Sequence, residues 1–413
     1  MDKIFNRCSV KSEVRAISSK SEAHRYLICA ALGDKECEII CTDTNADIDA
    51  TASCLNMLGA KISRIENGFL VSPIKDVQQN AMLDCNESGS TLRFLLPLAA
   101  SLGADCGFIM RGRLAQRPLS PLYEIMQNNG VDLSPQGSSP LKIKGRLTCG
   151  SYSIAANVSS QYISGLLFAL SVVNGSSTLT LEGKIESAPY IEMTVDALNT
   201  FGADISFDST SKTFMIKGKS HLISPERLIV GGDWSNAAFY LTAGAIGQNS
   251  VTVCNLDKNS RQGDREIISV LEKMGAVMHS DGNSVTVSPS KLHGIRIDAA
   301  NIPDLVPILS VAASVADGET LIYNASRLRL KESDRIESVC NTLSILGANI
   351  SSTADGMRII GKKTLLGGEV DSYNDHRIAM SAAIASLVCE SGVKISRFEA
   401  INKSYPTFLD GWE

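Results

Sequence analysis

Three ionisable residues, Asp375, His376 and Arg377, stand directly before a segment whose side chains are almost all apolar. Five other apolar segments follow short polar runs at residues 19–21, 88–91, 159–161, 232–235 and 301–304. Every run contains serine, aspartate or asparagine, the residue types that cap helix N-termini, so capping explains each run taken singly. Several helix N-termini together, with their unpaired N–H groups and partial positive charge, indicate in addition a site for small anions.

A second group of charged residues lies between Arg327 and Arg335, just before an amphipathic helix pattern. Lys331 and Glu332 could supply the positive charge and the proton-transfer group that chemistry on a phosphorylated substrate requires. The alternative is a solvent-exposed helix start with ion pairs at spacing four. The pattern alone leaves both interpretations open.

The six apolar segments end in glycines at 33, 103, 175, 247, 318 and 392, which are 70 to 74 residues apart. Amphipathic helix patterns ending in glycines at 59, 130, 202, 275 and 347 alternate with them. With the short β-rich runs between them, each unit reads as βαβαββ, which predicts an α/β protein of six repeats. A helix that is apolar on every side must be surrounded by protein, so we expect the six apolar helices inside their globes.

A chain of 413 residues is about the length of two domains. Six repeats then give three per globe. We predict a first domain over residues 19–230 and a second, discontinuous domain over 1–18 and 231–413. The sixth repeat has no clear amphipathic partner, and we expect the N-terminal strand to pair into the second globe instead.

Composition excludes several classes of function. The formal net charge of −5 gives no support for nucleic acid as a partner. The sequence lacks a signal-peptide pattern and an apolar run of about 20 residues, so we expect a cytoplasmic protein with no membrane partner. The eleven cysteines are scattered without CxxC pairs, and nucleotide-loop and zinc-protease motifs are missing. We therefore expect reduced thiols and no metal.

The ordered segments SKSEAHR, SGSTLR, QRP, VSSQ, SAPY, KESDR, NDHR and NKSYP resemble those of the enolpyruvyl transferases, over essentially the whole chain. The match is nearest to the members that act on shikimate 3-phosphate. The resemblance implies two globes, each of three βαβαββ repeats around buried parallel helices, an inside-out α/β barrel. It also implies transfer of the enolpyruvyl group of phosphoenolpyruvate to the 5-hydroxyl of shikimate 3-phosphate, without a cofactor, by a monomer.

The resemblance assigns residues to each reactant. For shikimate 3-phosphate they are Lys20, Ser21, Arg25, Ser159, Ser160, Gln161, Ser187, Tyr190, Asp304 and Lys331. For phosphoenolpyruvate they are Lys20, Gly89, Arg117, Gln161, Arg335, His376, Arg377 and Lys403. Asp304 matches the base for the 5-hydroxyl, while Glu332 and Lys20 match the groups that handle the proton at the methylene carbon. Addition of the alcohol would give a tetrahedral intermediate that loses phosphate.

Some positions depart from the family pattern. Glu87 stands where asparagine is usual, two residues before Gly89, and Ser90 replaces threonine. Arg327 replaces an asparagine often found four residues before Lys331. These changes bear on substrate affinity and on the response to glyphosate, the family's inhibitor, rather than on the class of reaction.

Three alternatives compete with this interpretation. The sister enzymes that use a UDP-linked amino sugar carry a reactive cysteine before the arginine corresponding to Arg117, but the segment RGRLAQRP has none. The presence of Asp304, Glu332, Lys20 and Arg117 together speaks against a binding protein without turnover. A related repeat fold serves RNA 3′-end cyclisation, which the acidic composition disfavours.

Overall fold

The computed structural model describes residues 1–6, 9–219 and 221–413, and the chain divides into two compact units. Residues 18–230 form what we call the N-terminal unit, and residues 1–17 together with 231–413 form the C-terminal unit. Each unit has its own apolar core.

The chain begins in the C-terminal unit with β1 (Lys3–Phe5) and β2 (Glu13–Arg15). The helices of the N-terminal unit are α1 (Lys20–Ala31), α2 (Ala46–Leu58), α3 (Gly89–Leu102), α4 (Leu122–Asn128), α5 (Ser160–Ser171) and α6 (Ala188–Thr200). Its strands are β3 (Cys37–Ile40), β4 (Lys61–Ile65), β5 (Gly68–Ser72), β6 (Ala81–Asp84), β7 (Cys106–Ile109), β8 (Val131–Leu133), β9 (Leu141–Gly145), β10 (Ser151–Ala155), β11 (Gly175–Glu182), β12 (Asp204–Asp208), β13 (Thr213–Gly218) and β14 (Arg227–Ile229).

The rest of the chain completes the C-terminal unit. Its helices are α7 (Trp234–Ile246), α8 (Ile267–Lys273), α9 (Val306–Ser314), α10 (Arg335–Ile345) and α11 (His376–Ala385). Its remaining strands are β15 (Val251–Cys254), β16 (Val277–Asp281), β17 (Ser284–Ser288), β18 (Arg296–Asp298), β19 (Glu319–Tyr323), β20 (Asn349–Ser352), β21 (Met357–Ile360), β22 (Gly368–Asp371) and β23 (Val393–Ser396).

The six sheets share one topology, in which a parallel pair of strands is extended by antiparallel strands. In β6-β7-β9-β8, for example, β6 and β7 are parallel, and β9 is antiparallel to both β7 and β8. The others are β14-β3-β5-β4, β10-β11-β13-β12, β16-β17-β15-β2, β18-β19-β21-β20 and β1-β23-β22. The three-stranded sheet has β1 in the antiparallel position next to β23, and β2 is the parallel partner of β15. The N-terminal segment therefore supplies one strand to each of two sheets of the C-terminal unit.

The apolar helices lie in the cores, where their sequences require them to be. All residues of α7, α9 and α11 are buried except Ile246, and α3 and α5 are nearly as enclosed. Gly165 lets α5 approach α3 closely, because a Cβ at this position would lie 2.2 Å from the carbonyl oxygen of Arg93. The α/β class predicted from the repeats is thus confirmed.

Candidate active site

Side chains of the predicted types cap five of the six buried helices. Each accepts a hydrogen bond from a backbone N–H of the first turn: Ser19 at α1, Ser88 at α3, Ser159 at α5, Asp233 at α7 and Asp375 at α11. The exception is α9, which follows a 3-10 turn, Pro303–Leu305, and has no side-chain cap. Asp304 lies in that turn, so its carboxylate is available for other contacts.

Two predicted residues of the C-terminal unit, Asp304 and Glu332, contact the guanidinium of a third, Arg335, the first residue of α10. Its three nitrogens lie close to three carboxylates, 2.8 Å from Asp304, 2.7 Å from Glu332 and 2.8 Å from Asp375. Arg335 is 1% exposed. Burial disfavours its charged form, but the three carboxylates raise the pKa of Arg335 above its usual value. Arg335 is therefore a permanently charged centre.

The carboxylate of Asp304 faces three cations. Besides Arg335, Nζ of Lys331 lies 3.6 Å from Oδ1 and Nη2 of Arg377 lies 3.4 Å from Oδ2. Burial raises the pKa of Asp304, but the charges of Arg377, Lys331 and Arg335 outweigh burial and place it well below the ordinary value. Asp304 is ionised at neutral pH.

The start of α11 holds two more predicted residues, His376 and Arg377, both buried. Nη1 of Arg377 donates to the backbone oxygen of Asp304 over 2.9 Å, which connects the starts of α9 and α11. Nζ of Lys403 donates to the backbone oxygen of Asn374 over 2.6 Å. Asn374 has φ of +54°, in the left-handed region that asparagine tolerates better than most residues.

In the N-terminal unit, α1 carries Lys20 and Ser21 on its first turn and Arg25 on the next. Nζ of Lys20 lies 2.9 Å from Oδ2 of Asp47. Arg25 donates to Oγ1 of Thr194 over 2.9 Å and to the backbone oxygens of Ser21 and Tyr190. Burial lowers the pKa of Arg25 to about 10. The guanidinium therefore remains charged at neutral pH.

Gly89 and Arg117 lie together at the start of α3. A Cβ on Gly89 would stand 2.9 Å from Nη1 of Arg117, so glycine gives the guanidinium access to the helix N-terminus. Gln161 on α5 joins this group through Arg93, which donates to Oε1 of Gln161 over 2.7 Å. Nε2 of Gln161 donates to Oγ of Ser90 over 2.9 Å. The predicted residues on α3 and α5 thus belong to one polar cluster.

The remaining predicted residues lie at the starts of α5 and α6. Ser159 caps α5 and Ser160 is its first residue. Ser187 precedes α6 with φ of +53°, an uncommon conformation for serine. The backbone N–H of Tyr190 donates to the backbone oxygen of Ser187 over 3.0 Å.

Two departures from the family pattern have structural explanations. The carboxylate of Glu87 packs on Gly112, where a Cβ would stand 2.5 Å from Oε2 and φ is +53°. Gly112 lies in the segment that leads to Arg117, so Glu87 supports that segment. Nη2 of Arg327 donates to the backbone oxygen of Ala300 over 2.7 Å, which ties the Lys331 segment to the chain just before Asp304.

Sequence reasoning assigned no site role to Asp375, Asp47 or Thr194. Asp375 is 0% exposed and both caps α11 and binds Arg335. The sequence shows Asp375 directly before His376, but helix capping alone is enough to explain an aspartate at that position. Asp47 and Thr194 stand opposite Lys20 and Arg25, on helices that only the fold brings next to α1.

Over residues 1–6, 9–219 and 221–413, no three His, Cys, Asp or Glu side chains are grouped as they would be around a metal ion. Within those ranges no helix combines the length and apolar character needed to span a bilayer.

Comparison with known proteins gives one consistent family. Residues 6–412 match the sequence model of the EPSP synthase (3-phosphoshikimate 1-carboxyvinyltransferase) family. The chain is 42% identical to the 3-phosphoshikimate 1-carboxyvinyltransferase of Clostridium acetobutylicum over 98% of its own length and 95% of that protein. Identity to the Clostridium perfringens enzyme of the same name is 41%, over 99% and 96%. The solved structure of EPSP synthase from Acinetobacter baumannii superimposes with a TM-score of 0.80 at 25% identity, covering 99% of this chain and 96% of that one.

Proposed function

This chain belongs to the EPSP synthase family, which transfers the enolpyruvyl group of phosphoenolpyruvate to shikimate 3-phosphate, and we propose how its residues carry out that reaction. The single observation that carries the proposal is the arrangement around Arg335. One buried guanidinium and two further cations hold the carboxylates of Asp304 and Glu332 in the same unit. A base and an acid are thereby held next to charges that suit anionic reactants.

For shikimate 3-phosphate, we assign the starts of α1, α5 and α6. The phosphate would receive hydrogen bonds from Ser159, Ser160 and the helix N-terminus they begin, which suits an anion. Arg25 supplies charge, and its contacts to Ser21 and Tyr190 fix its position. The other members of this group are Lys20, Gln161, Ser187, Lys331 and Asp304.

For phosphoenolpyruvate, we assign five cations, Lys20, Arg117, Arg335, Arg377 and Lys403. Gly89, Gln161 and His376 complete this group. Phosphate and carboxylate oxygens accept charge-assisted hydrogen bonds from guanidinium and ammonium groups, which are stronger than neutral ones. Several cations within a protein of net charge −5 are explained by this pair of anionic groups.

The reaction then needs one base and one acid. Asp304 accepts the proton of the 5-hydroxyl as its oxygen bonds to C2 of phosphoenolpyruvate, while Glu332 or Lys20 gives a proton to C3. The product of this addition is a tetrahedral intermediate. Loss of the C3 proton to the same group then expels phosphate with the C2–O electron pair and restores the double bond. Arg117 and Arg335 stabilise the charge on the leaving phosphate.

The low pKa of Asp304 keeps its carboxylate ionised, and so able to accept a proton, but also makes it a weak base. Arg377, Lys331 and Arg335 are the cations that lower that pKa. When the anionic groups of the substrates bind these cations, they offset the positive charge near Asp304 and raise its pKa toward the range of a useful base. Substrate binding would thus activate the carboxylate.

Phosphate release from phosphoenolpyruvate tests the reaction and its base together. We expect release with shikimate 3-phosphate, none with the UDP-linked amino sugar, none without an acceptor, and little with Asp304→Ala. Release with wild-type protein that survives in Asp304→Ala would overturn the assignment of the base. If the protein bound both substrates but released no phosphate, the proposal that it catalyses this reaction would be wrong.

We also propose that the enzyme works as a monomer in the cytoplasm, where phosphoenolpyruvate is made. All the residues assigned above come from one chain, so one copy can supply them. Light scattering at working concentration should give a mass near 44.1 kDa. A mass of twice that value, with loss of activity on dilution, would contradict the monomer.

A further inference from the structure

A line of hydrogen bonds through the interior of the N-terminal unit connects α1, α2 and α3. Nδ1 of His24 lies 2.7 Å from Oγ1 of Thr51, which lies 2.6 Å from Oγ1 of Thr91. Thr91 is 2.7 Å from Oγ of Ser88, to which it donates. All four residues are at most 1% exposed. Water therefore does not compete for these bonds.

The two ends of this line stand beside residues assigned to phosphoenolpyruvate. His24 lies one helical turn after Lys20 on α1, and Thr51 lies one turn after Asp47 on α2. The His24–Thr51 contact therefore runs next to the Lys20–Asp47 ion pair between the same two helices. At the other end, Ser88 caps α3 and directly precedes Gly89.

We propose that the line from His24 through Thr51 and Thr91 to Ser88 is a positioning device that sets Lys20 relative to the N-terminus of α3. This inference rests on the proposed assignment of Lys20 and Gly89 to phosphoenolpyruvate. None of the four side chains needs to touch substrate for the device to work.

The protonation of His24 gives the line one direction. Burial, and then Lys20 and Arg25, lower the pKa of His24 well below its usual value, so the ring is neutral. Among the described residues Nε2 of His24 meets no hydrogen-bond partner. A buried N–H left unpaired is rarer than a buried acceptor left unpaired, which places the proton on Nδ1. His24 then donates to Thr51, Thr51 to Thr91, and Thr91 to Ser88.

Removing one hydroxyl from this line leaves its neighbours buried without partners. The helices would then adjust to recover those bonds, and Lys20 would move with α1. A misplacement of about 1 Å at a reacting group can cost on the order of 100-fold in rate. Valine in place of threonine removes the hydroxyl with little change in shape, whereas serine keeps the hydroxyl.

The test compares valine and serine at both threonines in the full-length enzyme. Thr51→Val and Thr91→Val should each lower kcat/KM for phosphoenolpyruvate about tenfold or more, and Thr51→Ser and Thr91→Ser should remain within about threefold of wild type. When Lys20 is already replaced by methionine, Thr51→Val should lower kcat/KM by less than about a further twofold. The reason is that Lys20, through which Thr51 acts, is then missing. Ser101→Ala is the matched control, since its buried hydroxyl donates to the backbone oxygen of Leu98 within α3 itself, and it should keep full activity.

Several results would overturn the inference. Positioning would be contradicted if Thr51→Val lowered kcat/KM equally with and without Lys20. It would also be contradicted if both valine variants kept the wild-type kcat/KM. If the valine variants do not fold, His24→Phe, which removes the first bond of the line, replaces them in the same comparison, and equal losses with and without Lys20 would again contradict positioning. Full activity of Lys20→Met alone would instead refute the assignment of Lys20, which separates the two failures.

Discussion

Nη1 of Arg335 lies 2.8 Å from Oδ1 of Asp304, although 31 residues separate them in the chain. The same guanidinium binds Glu332 and the buried Asp375, so a single cation fixes both carboxylates assigned to proton transfer. Because Arg335 is the first residue of α10 and Asp304 precedes α9, the contact also fixes two helix starts relative to each other. The geometry of the base therefore depends on α10 as much as on α9.

Replacing Asp304 by asparagine tests its role as the base. Asn cannot accept the proton of the 5-hydroxyl, and we expect kcat to fall by roughly 100- to 10,000-fold, the range typical of general base catalysis. Phosphate release measured with both substrates at saturation gives kcat. Asp317→Asn is the control, because the side chain of this aspartate is 76% exposed and pairs with an exposed lysine, Lys291. An Asp304→Asn enzyme that kept a tenth of the wild-type kcat would contradict the assignment.

Asp375→Asn tests the buried pair with Arg335. Asparagine still caps α11, so the change removes charge rather than the cap. We expect the unfolding free energy to fall by about 3 kcal/mol and KM for phosphoenolpyruvate to rise, because one partner of a buried ion pair is lost and Arg335 can turn. Urea unfolding and steady-state kinetics measure the two effects.

The control for Asp375 is another capping aspartate. Asp334 caps α10 and pairs with Arg329 over 3.0 Å, but its side chain is 34% exposed. Asp334→Asn should cost no more than about 1 kcal/mol, as is usual for exposed pairs. Equal costs at the two positions would mean that burial of the Arg335 pair adds nothing.

Arg25→Lys tests the proposed contact to shikimate 3-phosphate. Arg25 is held by three donated hydrogen bonds and lies 5.2 Å from the centre of the Phe94 ring, an arrangement that lysine cannot reproduce. We expect KM for shikimate 3-phosphate to rise roughly tenfold to 100-fold, as for loss of a hydrogen bond to a charged group, and KM for phosphoenolpyruvate to change much less.

Arg64→Lys is the matched control for Arg25. Arg64 also stacks on a phenylalanine, Phe69, at 4.6 Å, but it is exposed on β4. Its replacement should leave both KM values unchanged. A rise of similar size for both substrates in Arg25→Lys would indicate a general disturbance of α1 instead of a specific contact.

Repeated local patterns explain why the fold could be predicted. Apolar helices with polar starts, spaced about 70 residues apart, specify both the element and its burial without any knowledge of partners. Caps such as Ser19 and Ser159 follow from residue type alone, since a cap bonds to its own helix. The Asn301–Asp304 region is the informative exception, because a 3-10 turn before α9 replaces the cap.

Contacts between elements could not be predicted in the same way. Asp375 and Arg335 are 40 residues apart, and nothing in either local pattern identifies the other. Thr194 binds Arg25 across 169 residues, and Arg327 reaches the oxygen of Ala300 across 27. Such pairs depend on the packing of neighbouring repeats, which one sequence does not reveal.

The buried His24 should make the stability of the protein depend on pH below about 6.5, the usual pKa of histidine. Its pKa in the folded protein is well below that value, first because of burial and then because of Lys20 and Arg25. Below pH 6.5 the unfolded chain binds a proton at this position and the folded chain does not, so stability is complete above 6.5 and is lost as pH falls toward the folded pKa. The slope from this one group approaches about 1.4 kcal/mol per pH unit.

His24→Gln should remove that contribution. Urea unfolding between about pH 4.5 and 8 should give a shallower dependence on pH for the variant below 6.5, and parallel curves above it. His279→Gln, at an exposed position on β16, should keep the wild-type slope. Identical slopes for wild type and His24→Gln would mean that the folded protein binds a proton at His24 as readily as the unfolded chain does, which would contradict the lowered pKa of His24.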